Sequence, residues 1–266
     1  MNKKLKGAIA MTAMIFFICA AVYVLMPKES KPFMIITDSL LVVFSGAAFI
    51  GAFFTSKVFG WKSKEGKVWL FLALGYFLLA LGEFFWMFNE AILQIKPFPS
   101  VADVFYLLAY LPLIAGLLVE YGIIKEIIQK KETEKATLLT ILIVTVSTFL
   151  VILPIATATD YDLMSKAISL FYPIGDLVII FPALLFFFVF KRAKSPGYWL
   201  MSRPWMIIAI SLIFLTMADL SFAYLDWNGL YTGIPRALTD LAWIANYLLF
   251  ALGAYYHRII AKGEIR

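Results

Sequence analysis

Six carboxylic acids lie inside long apolar stretches of this 266-residue chain. Carboxylates bind protons, hard metal ions and organic cations. An ionised carboxylate at the centre of a bilayer costs about 2.5–3.5 kcal/mol, so acids in such stretches are candidates for function. The candidate ligand-binding acids are Asp38, Glu83, Asp103, Asp176, Asp219 and Asp240.

Glu83 and Asp219 are the strongest candidates among these acids. Both lie near the C-terminal ends of their predicted helices, where the helix dipole opposes negative charge, and neither has a cation in its own apolar stretch. We expect these two to carry the binding charge and to be the ligands of a divalent cation, if one binds. The other four lie near helix starts, where the dipole stabilises a carboxylate. Asp103 also stands in a Ser-x-x-Asp capping box, and Asp240 lies four residues after Arg236, so capping or an ion pair explains these two equally well.

Aromatic residues accompany the acids at spacings of three, four and seven, which place them on the same helix face. Acids and aromatic rings together suit an organic cation through cation–π contact, whereas a belt of Trp and Tyr at the membrane interface is the alternative explanation. The candidate ligand-binding aromatic residues are Trp86, Tyr106, Tyr110, Tyr172, Trp243 and Tyr247. The interfacial belt is the preferred explanation for Trp61, Trp69, Trp199 and Trp205.

Several cofactors and reaction types are excluded by the single histidine, His257, which is predicted to lie far from the acids. A Ser-His-Asp catalytic site, a zinc site of His and Cys, and a haem with two His ligands are not expected. The last apolar stretch contains no lysine, which excludes a retinal Schiff base there. A divalent cation is the one cofactor that the residues leave open, and an enzyme using carboxylates alone also stays open.

The chain as a whole is strongly apolar: 63% of its residues are hydrophobic and 15% are charged, whereas an ordinary soluble domain has about 25% charged residues. A transmembrane helix needs about 20 predominantly apolar residues. The apolar runs predict an all-α polytopic membrane protein with eight transmembrane helices and no soluble domain. The predicted spans are residues 7–26, 33–56, 68–89, 101–120, 136–158, 167–190, 204–225 and 237–256.

The distribution of basic residues predicts the orientation, because cytoplasmic loops are enriched in Lys and Arg. With the N-terminus inside, 18 of the 23 Lys and Arg residues lie on the inner side and 5 on the outer side. We therefore expect a multi-pass protein of the cell membrane with both termini in the cytoplasm and all six acids in the outer half of the bilayer. Because the basic residues occupy short turns, nucleic acid is not expected as a partner.

A weak internal repeat relates the two halves of the chain. The segment 103–116 aligns without gaps on the segment 240–253, so that Asp103 meets Asp240 and Tyr110 meets Tyr247. This predicts two four-helix repeats, residues 1–130 and 131–266, within one membrane domain. An even number of helices per repeat predicts a pseudo-twofold axis along the membrane normal.

Four stretches resemble the motifs of an eight-helix membrane sensory module of bacteria and archaea, which often precedes diguanylate cyclase, phosphodiesterase or histidine kinase domains. Residues 97–107 match its Pro-x-Pro-Ser-x-Ala-Asp-x-x-Tyr-Leu signature. The companion motifs are Gly82-Glu83 with Trp86 and Glu90, residues 172–176, and Ala218-Asp219 with Phe222. The resemblance implies a sensory role. Few residues follow the last predicted span, so we expect any signal to need a cytoplasmic or membrane partner protein.

These observations together predict an integral membrane sensory or regulatory protein that binds a cation or small ligand in an outward-facing cavity of acids and aromatic rings. Three alternatives stay open. The acids could form the cation or proton relay of a transporter, act as acid and base in a lipid-modifying enzyme, or serve only to cap and join helices. The lipid bilayer is the expected partner, and the sequence leaves the ligand and the oligomeric state open.

Overall fold

Eight helices in the described part of the chain are long and apolar enough to cross a membrane, which confirms the predicted all-helical fold and the predicted number of such helices. The computed structural model describes residues 3–26, 30–159, 162–192 and 196–264. The helices are α1 (Lys3–Leu25), α2 (Lys31–Phe59), α3 (Lys64–Leu93), α4 (Val101–Ile127), α5 (Lys130–Thr157), α6 (Leu163–Arg192), α7 (Pro196–Trp227) and α8 (Gly233–Ala261). Three of the basic residues used to predict the orientation, Lys28, Lys194 and Arg266, lie outside the described residues.

Serine side chains begin three of these helices. Ser30 Oγ accepts from the Phe33 amide at 3.3 Å, and Ser63 Oγ accepts from the Gly66 amide at 2.9 Å. Ser100 begins α4 in a full capping box with Asp103, as the sequence predicts. Each cap satisfies a backbone N–H that has no partner within its helix.

The last part of α3, Phe88–Leu93, is a π-helix. The sequence analysis ended this span at residue 89, whereas the structure continues it and thereby keeps Glu90 on the helix. Such π-helical turns are frequent at functional sites because they change the direction of side chains relative to a regular helix. Here the change affects an acid that the spacing argument did not select.

The helices that position the candidate site form the middle of the bundle. The pairs α2–α3, α3–α4, α6–α7 and α7–α8 pack directly, α2 also packs on α8, and α4 packs on α6. Helices α3 and α4 approach closely because Gly75 faces Leu113 and Gly116 faces Leu72. A Cβ atom at Gly75 would lie 2.5 Å from Leu113 Cδ2. Small residues at such contacts are typical of helix packing within membranes.

Helices α1 and α5 lie at the outside of the bundle. Only 11% of the most apolar window of α1 and 17% of that of α5 are buried within the protein. Exposed apolar side chains on these helices include Phe17 and Leu138. Such surfaces are suited to lipid chains, and helical backbone satisfies its own hydrogen bonds there.

Trp69 and Trp205 are not residues of an interfacial belt, contrary to the preferred explanation from sequence. Both are buried and pack around His257, and Trp69 Nε1 donates to His257 Nδ1 at 3.1 Å. The apolar residues of α3 and α7 are spread around the helix circumference, so periodicity does not tell which face is buried. Trp61 is exposed, consistent with a belt, and the Trp199 side chain lies outside the described side chains.

Candidate functional site

A cavity with about 1010 Å³ of space free of protein atoms, its open mouth included, lies at one end of the bundle. The first turns of α1 and the end of α8 lie at the other end, where Leu5 packs on Tyr256 and Lys4 pairs with Glu264. Five of the six predicted acids line the cavity: Asp38, Glu83, Asp103, Asp219 and Asp240. All six predicted aromatic residues line it as well: Trp86, Tyr106, Tyr110, Tyr172, Trp243 and Tyr247. Asp176 is fully buried and does not line the cavity.

The guanidinium of Arg236 gathers three acids at one side of the cavity. It donates to both Glu90 carboxylate oxygens, at 2.9 and 3.0 Å. Arg236 Nη2 lies 3.9 Å from Asp38 Oδ1, and Nε lies 3.6 Å from Asp240 Oδ2. The sequence predicted only the pair with Asp240. It placed Arg236 just outside the last span, whereas α8 begins at Gly233 and carries Arg236 in its first turn.

Tyr231 completes this acid group, and the sequence analysis missed it. Its hydroxyl donates to Asp240, and the Arg236 guanidinium lies 5.3 Å from the centre of its ring. Burial first, and then the Asp240 carboxylate, raise the pKa of Tyr231 well above its usual value, so the hydroxyl stays a donor at neutral pH. Tyr231 lies in the connection between α7 and α8, where helical spacing gives no signal.

Aromatic donors hold four further acids, and each donor lies on a different helix from its acceptor. The pairs are Tyr247 Oη to Glu83 Oε1 at 2.6 Å, Tyr172 Oη to Asp103 Oδ1 at 2.7 Å, Tyr110 Oη to Asp176 Oδ1 at 2.8 Å and Trp243 Nε1 to Asp219 Oδ1 at 2.6 Å. The sequence had associated each aromatic residue with an acid of its own helix. The structure brings together the predicted residues but joins them across helices.

Two glycines make room for the tyrosines beside the acids. A Cβ atom at Gly82 would lie 2.5 Å from the Tyr106 ring, and one at Gly175 would lie 2.7 Å from the Tyr110 ring. Each glycine directly precedes an acid, Glu83 or Asp176. The absent side chain lets the ring of a neighbouring helix lie against the backbone next to the carboxylate.

Asp176, which is fully buried, and Asp219, which is partly buried, form a carboxyl pair between α6 and α7. Their side chains lie close enough to interact electrostatically. Asp176 Oδ2 has no hydrogen-bond partner among the described residues. A proton shared between the two carboxyl groups would give Asp176 Oδ2 a partner.

Asp38 differs from the other five acids because none of the described residues donates a hydrogen bond to it. It is only 3% exposed, and its Oδ2 atom is buried without a partner. Arg236 at 3.9 Å is its nearest cation, beyond hydrogen-bond distance. Asp38 is therefore a carboxylate with unused acceptor capacity in the cavity wall.

The carboxylates are arranged for N–H and O–H donors more than for a metal ion. Within the described ranges, no three His, Cys, Asp or Glu side chains are grouped so as to hold a metal. Calcium takes six to eight oxygen ligands, and most of these carboxylates already use an oxygen in a bond from Tyr, Trp or Arg. The assignment of a divalent cation to Glu83 and Asp219 stays a prediction.

Comparison of the chain with protein-family models, curated proteins and solved structures gives no match. The likeness to the eight-helix sensory module thus rests on its motifs alone. Those motifs meet at one place in the fold. Motif residues that line the cavity are Glu83, Trp86, Phe98, Asp103, Tyr106, Tyr172, Asp219 and Phe222.

Proposed function

We propose that this chain is a membrane protein of the sensory or regulatory class that binds a cation or small ligand in the acidic and aromatic cavity. The observation that supports it most is the charge of the cavity wall. Of the described residues that line it, Arg236 alone is positive. Six are acidic: Asp38, Glu83, Asp103, Asp219, Asp226 and Asp240.

An excess of buried carboxylates is costly for a purely structural bundle. Burying charge is unfavourable even when it is paired, and apolar packing is often at least as stable. Bonds from Tyr and Trp account for most of these acids as interhelical contacts. They do not account for Asp38, which makes no such bond, or for the cavity itself, and a ligand accounts for both.

We further propose that the protein lies in the cell membrane with both termini in the cytoplasm, so that the cavity faces outward. The support is the excess of Lys and Arg in connections at the end away from the cavity. Single cysteines in a Cys19→Ser background test this. A membrane-impermeant thiol reagent should label Gln94→Cys in intact cells and should leave Lys62→Cys unlabelled until the cells are opened.

The two-repeat organisation, residues 1–130 and 131–266 with a pseudo-twofold axis, belongs to the same proposal. Two features support it. Helices α2, α3 and α4 neighbour one another in the same order as α6, α7 and α8. In addition, Tyr106 contacts Glu83 as Trp243 contacts Asp219, and these pairs correspond under the alignment to within one residue.

A thermal unfolding series tests the binding function. Purified protein in detergent is heated with Mg²⁺, Ca²⁺, Mn²⁺, a chelator or small organic ammonium salts. A ligand at 100 times its Kd adds about 2.7 kcal/mol to the stability of the folded state. We expect at least one cation to raise the unfolding temperature of the wild type and to lose this effect in Glu83→Gln/Asp219→Asn.

The matched control is Asp162→Asn, which removes an exposed carboxylate from the connection between α5 and α6. The Asp162 Oδ1 atom accepts from the Ser165 amide at 3.0 Å, a bond that asparagine retains. A wild type that no cation stabilises, beside a Glu83→Gln/Asp219→Asn variant that is equally stable, would show that the charges of these two acids serve neither cation binding nor stability, and would end the proposal.

Transport is a second candidate, favoured by polar groups that continue below the cavity. Two turns from Glu83 along α3, the Tyr76 hydroxyl donates to Asn246 Oδ1 at 2.8 Å, and Asn246 Nδ2 is buried without a partner. The sequence analysis had found polar candidates only in the outer half. Reconstituted vesicles that show cation or proton flux, lost in Asn246→Leu, would favour a transporter over a sensor.

A further inference from the structure

Among the described residues of the cavity wall, Asp38 has the one buried carboxylate to which no side chain or backbone group donates a hydrogen bond. Its side chain is only 4% exposed, yet no described residue donates a hydrogen bond to it. An unpaired buried carboxylate costs several kcal/mol. A donor from outside the chain removes that cost, so Asp38 marks the point where a ligand binds.

The neighbouring cation does not fill this role. Both Arg236 Nη atoms are committed to Glu90 at 2.9 and 3.0 Å, and Nη2 remains 3.9 Å from Asp38. Asp240 receives the Tyr231 hydroxyl in addition to the Arg236 contact. The three acids around Arg236 outnumber its single positive charge, which leaves the region beside Asp38 negative.

The geometry favours a nitrogen cation over a metal ion. A metal would need several converging oxygens, which the described residues do not supply. Arg236 shows what this wall accommodates: a nitrogen cation hydrogen-bonded to a carboxylate and lying against an aromatic ring. Apolar and aromatic side chains also line the cavity, including Leu41, Leu79 and Trp86.

We propose that Asp38, with Glu83 also in the cavity wall, binds the N–H groups of a protonated amine whose aromatic or apolar body fills the rest of the cavity. This inference rests on the binding function proposed above and names its ligand class. It assigns the principal role in ligand recognition to Asp38 instead of Asp219, because Asp219 already accepts a hydrogen bond from Trp243. The ammonium donates to the Asp38 carboxylate, and the aromatic rings contact its body and its positive charge.

Calorimetry and thermal unfolding of the full chain in detergent test this with four probes. The probes are 2-phenylethylammonium, tetramethylammonium, which is a cation without N–H groups, 2-phenylethanol, which is a neutral analogue, and Ca²⁺. We expect 2-phenylethylammonium to bind and stabilise the wild type. Tetramethylammonium and 2-phenylethanol should bind at least tenfold more weakly.

Asp38→Asn should weaken 2-phenylethylammonium binding at least tenfold, whereas Asp162→Asn should bind as the wild type does. If Asp38→Asn does not fold, Leu41→Trp serves instead, because it fills the cavity one turn from Asp38 without changing charge and should also abolish binding. Stabilisation by Ca²⁺ alone would overturn the amine inference and leave the binding function standing. Binding of 2-phenylethylammonium that is unchanged in both cavity variants, or no binding at all, would also overturn it.

Discussion

The Tyr110 hydroxyl on α4 donates to Asp176 on α6 at 2.8 Å, and Tyr172 on α6 donates back to Asp103 on α4 at 2.7 Å. The two helices therefore exchange their hydrogen-bond donors. Each acid accepts a hydrogen bond from the tyrosine that lies on the same helix as the other acid. This exchange joins the first half of the chain to the second through one buried and one partly buried hydrogen bond at the cavity.

Removal of one exchanged donor should destabilise the bundle. Tyr110→Phe removes the hydrogen bond to Asp176 Oδ1. Asp219 is then the one described residue whose side chain can still interact with the Asp176 carboxyl group. We expect the free energy of unfolding to fall by about 1–3 kcal/mol, measured by denaturant titration in detergent. Tyr121→Phe, at an exposed tyrosine of the same helix, is the control and should change the stability little. Equal effects of the two substitutions would contradict the importance of the bond.

Because the Tyr106 ring lies close to α3, alanine at Gly82 and alanine at Gly46 should change the stability of the protein in opposite directions. Gly82→Ala places a Cβ atom 2.5 Å from the Tyr106 ring, so the ring must move away from Glu83. We expect a loss of about 1–3 kcal/mol, as for other overpacked sites. Gly46→Ala on α2 meets nothing within 4 Å and should stabilise the protein by about 0.5–1 kcal/mol. Thermal unfolding of both variants checks the sign, and a stable Gly82→Ala protein would show that the ring is not held there.

Arg236 should be essential to the stability of the acid group around it. Arg236→Met leaves Glu90, Asp38 and Asp240 without a positive charge, and breaking a buried pair in this way costs about 3–5 kcal/mol. Adding Glu90→Gln should recover part of the loss, because one uncompensated carboxylate is removed. Lys62→Gln, in an exposed turn, is the charge-matched control. The expectation fails if Arg236→Met unfolds at the temperature of Lys62→Gln.

The Asp176–Asp219 pair predicts that two substitutions at Asp219 lower stability by different amounts. In Asp219→Asn, the amide can donate to Asp176 Oδ2 in place of the shared proton, so stability should change by less than about 1 kcal/mol. In Asp219→Leu, Asp176 loses that donor, and we expect the protein to lose about 1–3 kcal/mol. Unfolding in detergent separates the two outcomes. A larger loss in the asparagine variant than in the leucine variant would argue against proton sharing.

The number and position of the helices could be read from the sequence because they depend on local properties. A run of about 20 apolar residues forms a spanning helix whatever its neighbours are. The Ser100–Asp103 cap and the Arg236–Asp240 pair were also found in advance, since both join residues within one helical turn. The sequence also predicted that the acids lie toward one end of the bundle. Successive helices run in opposite directions, so an acid at the start of one helix and an acid at the end of the next lie at the same end.

Only the tertiary structure decided which acid meets which donor. That choice depends on the rotation of each helix about its axis, and helices with apolar residues on all sides carry little periodic signal for it. The π-helical end of α3 turned Glu90 toward Arg236, and the connection between α7 and α8 brought Tyr231 to Asp240. Asp38 was the carboxylate left without a donor, because packing across α2, α3 and α8 gave donors to its neighbours and not to it.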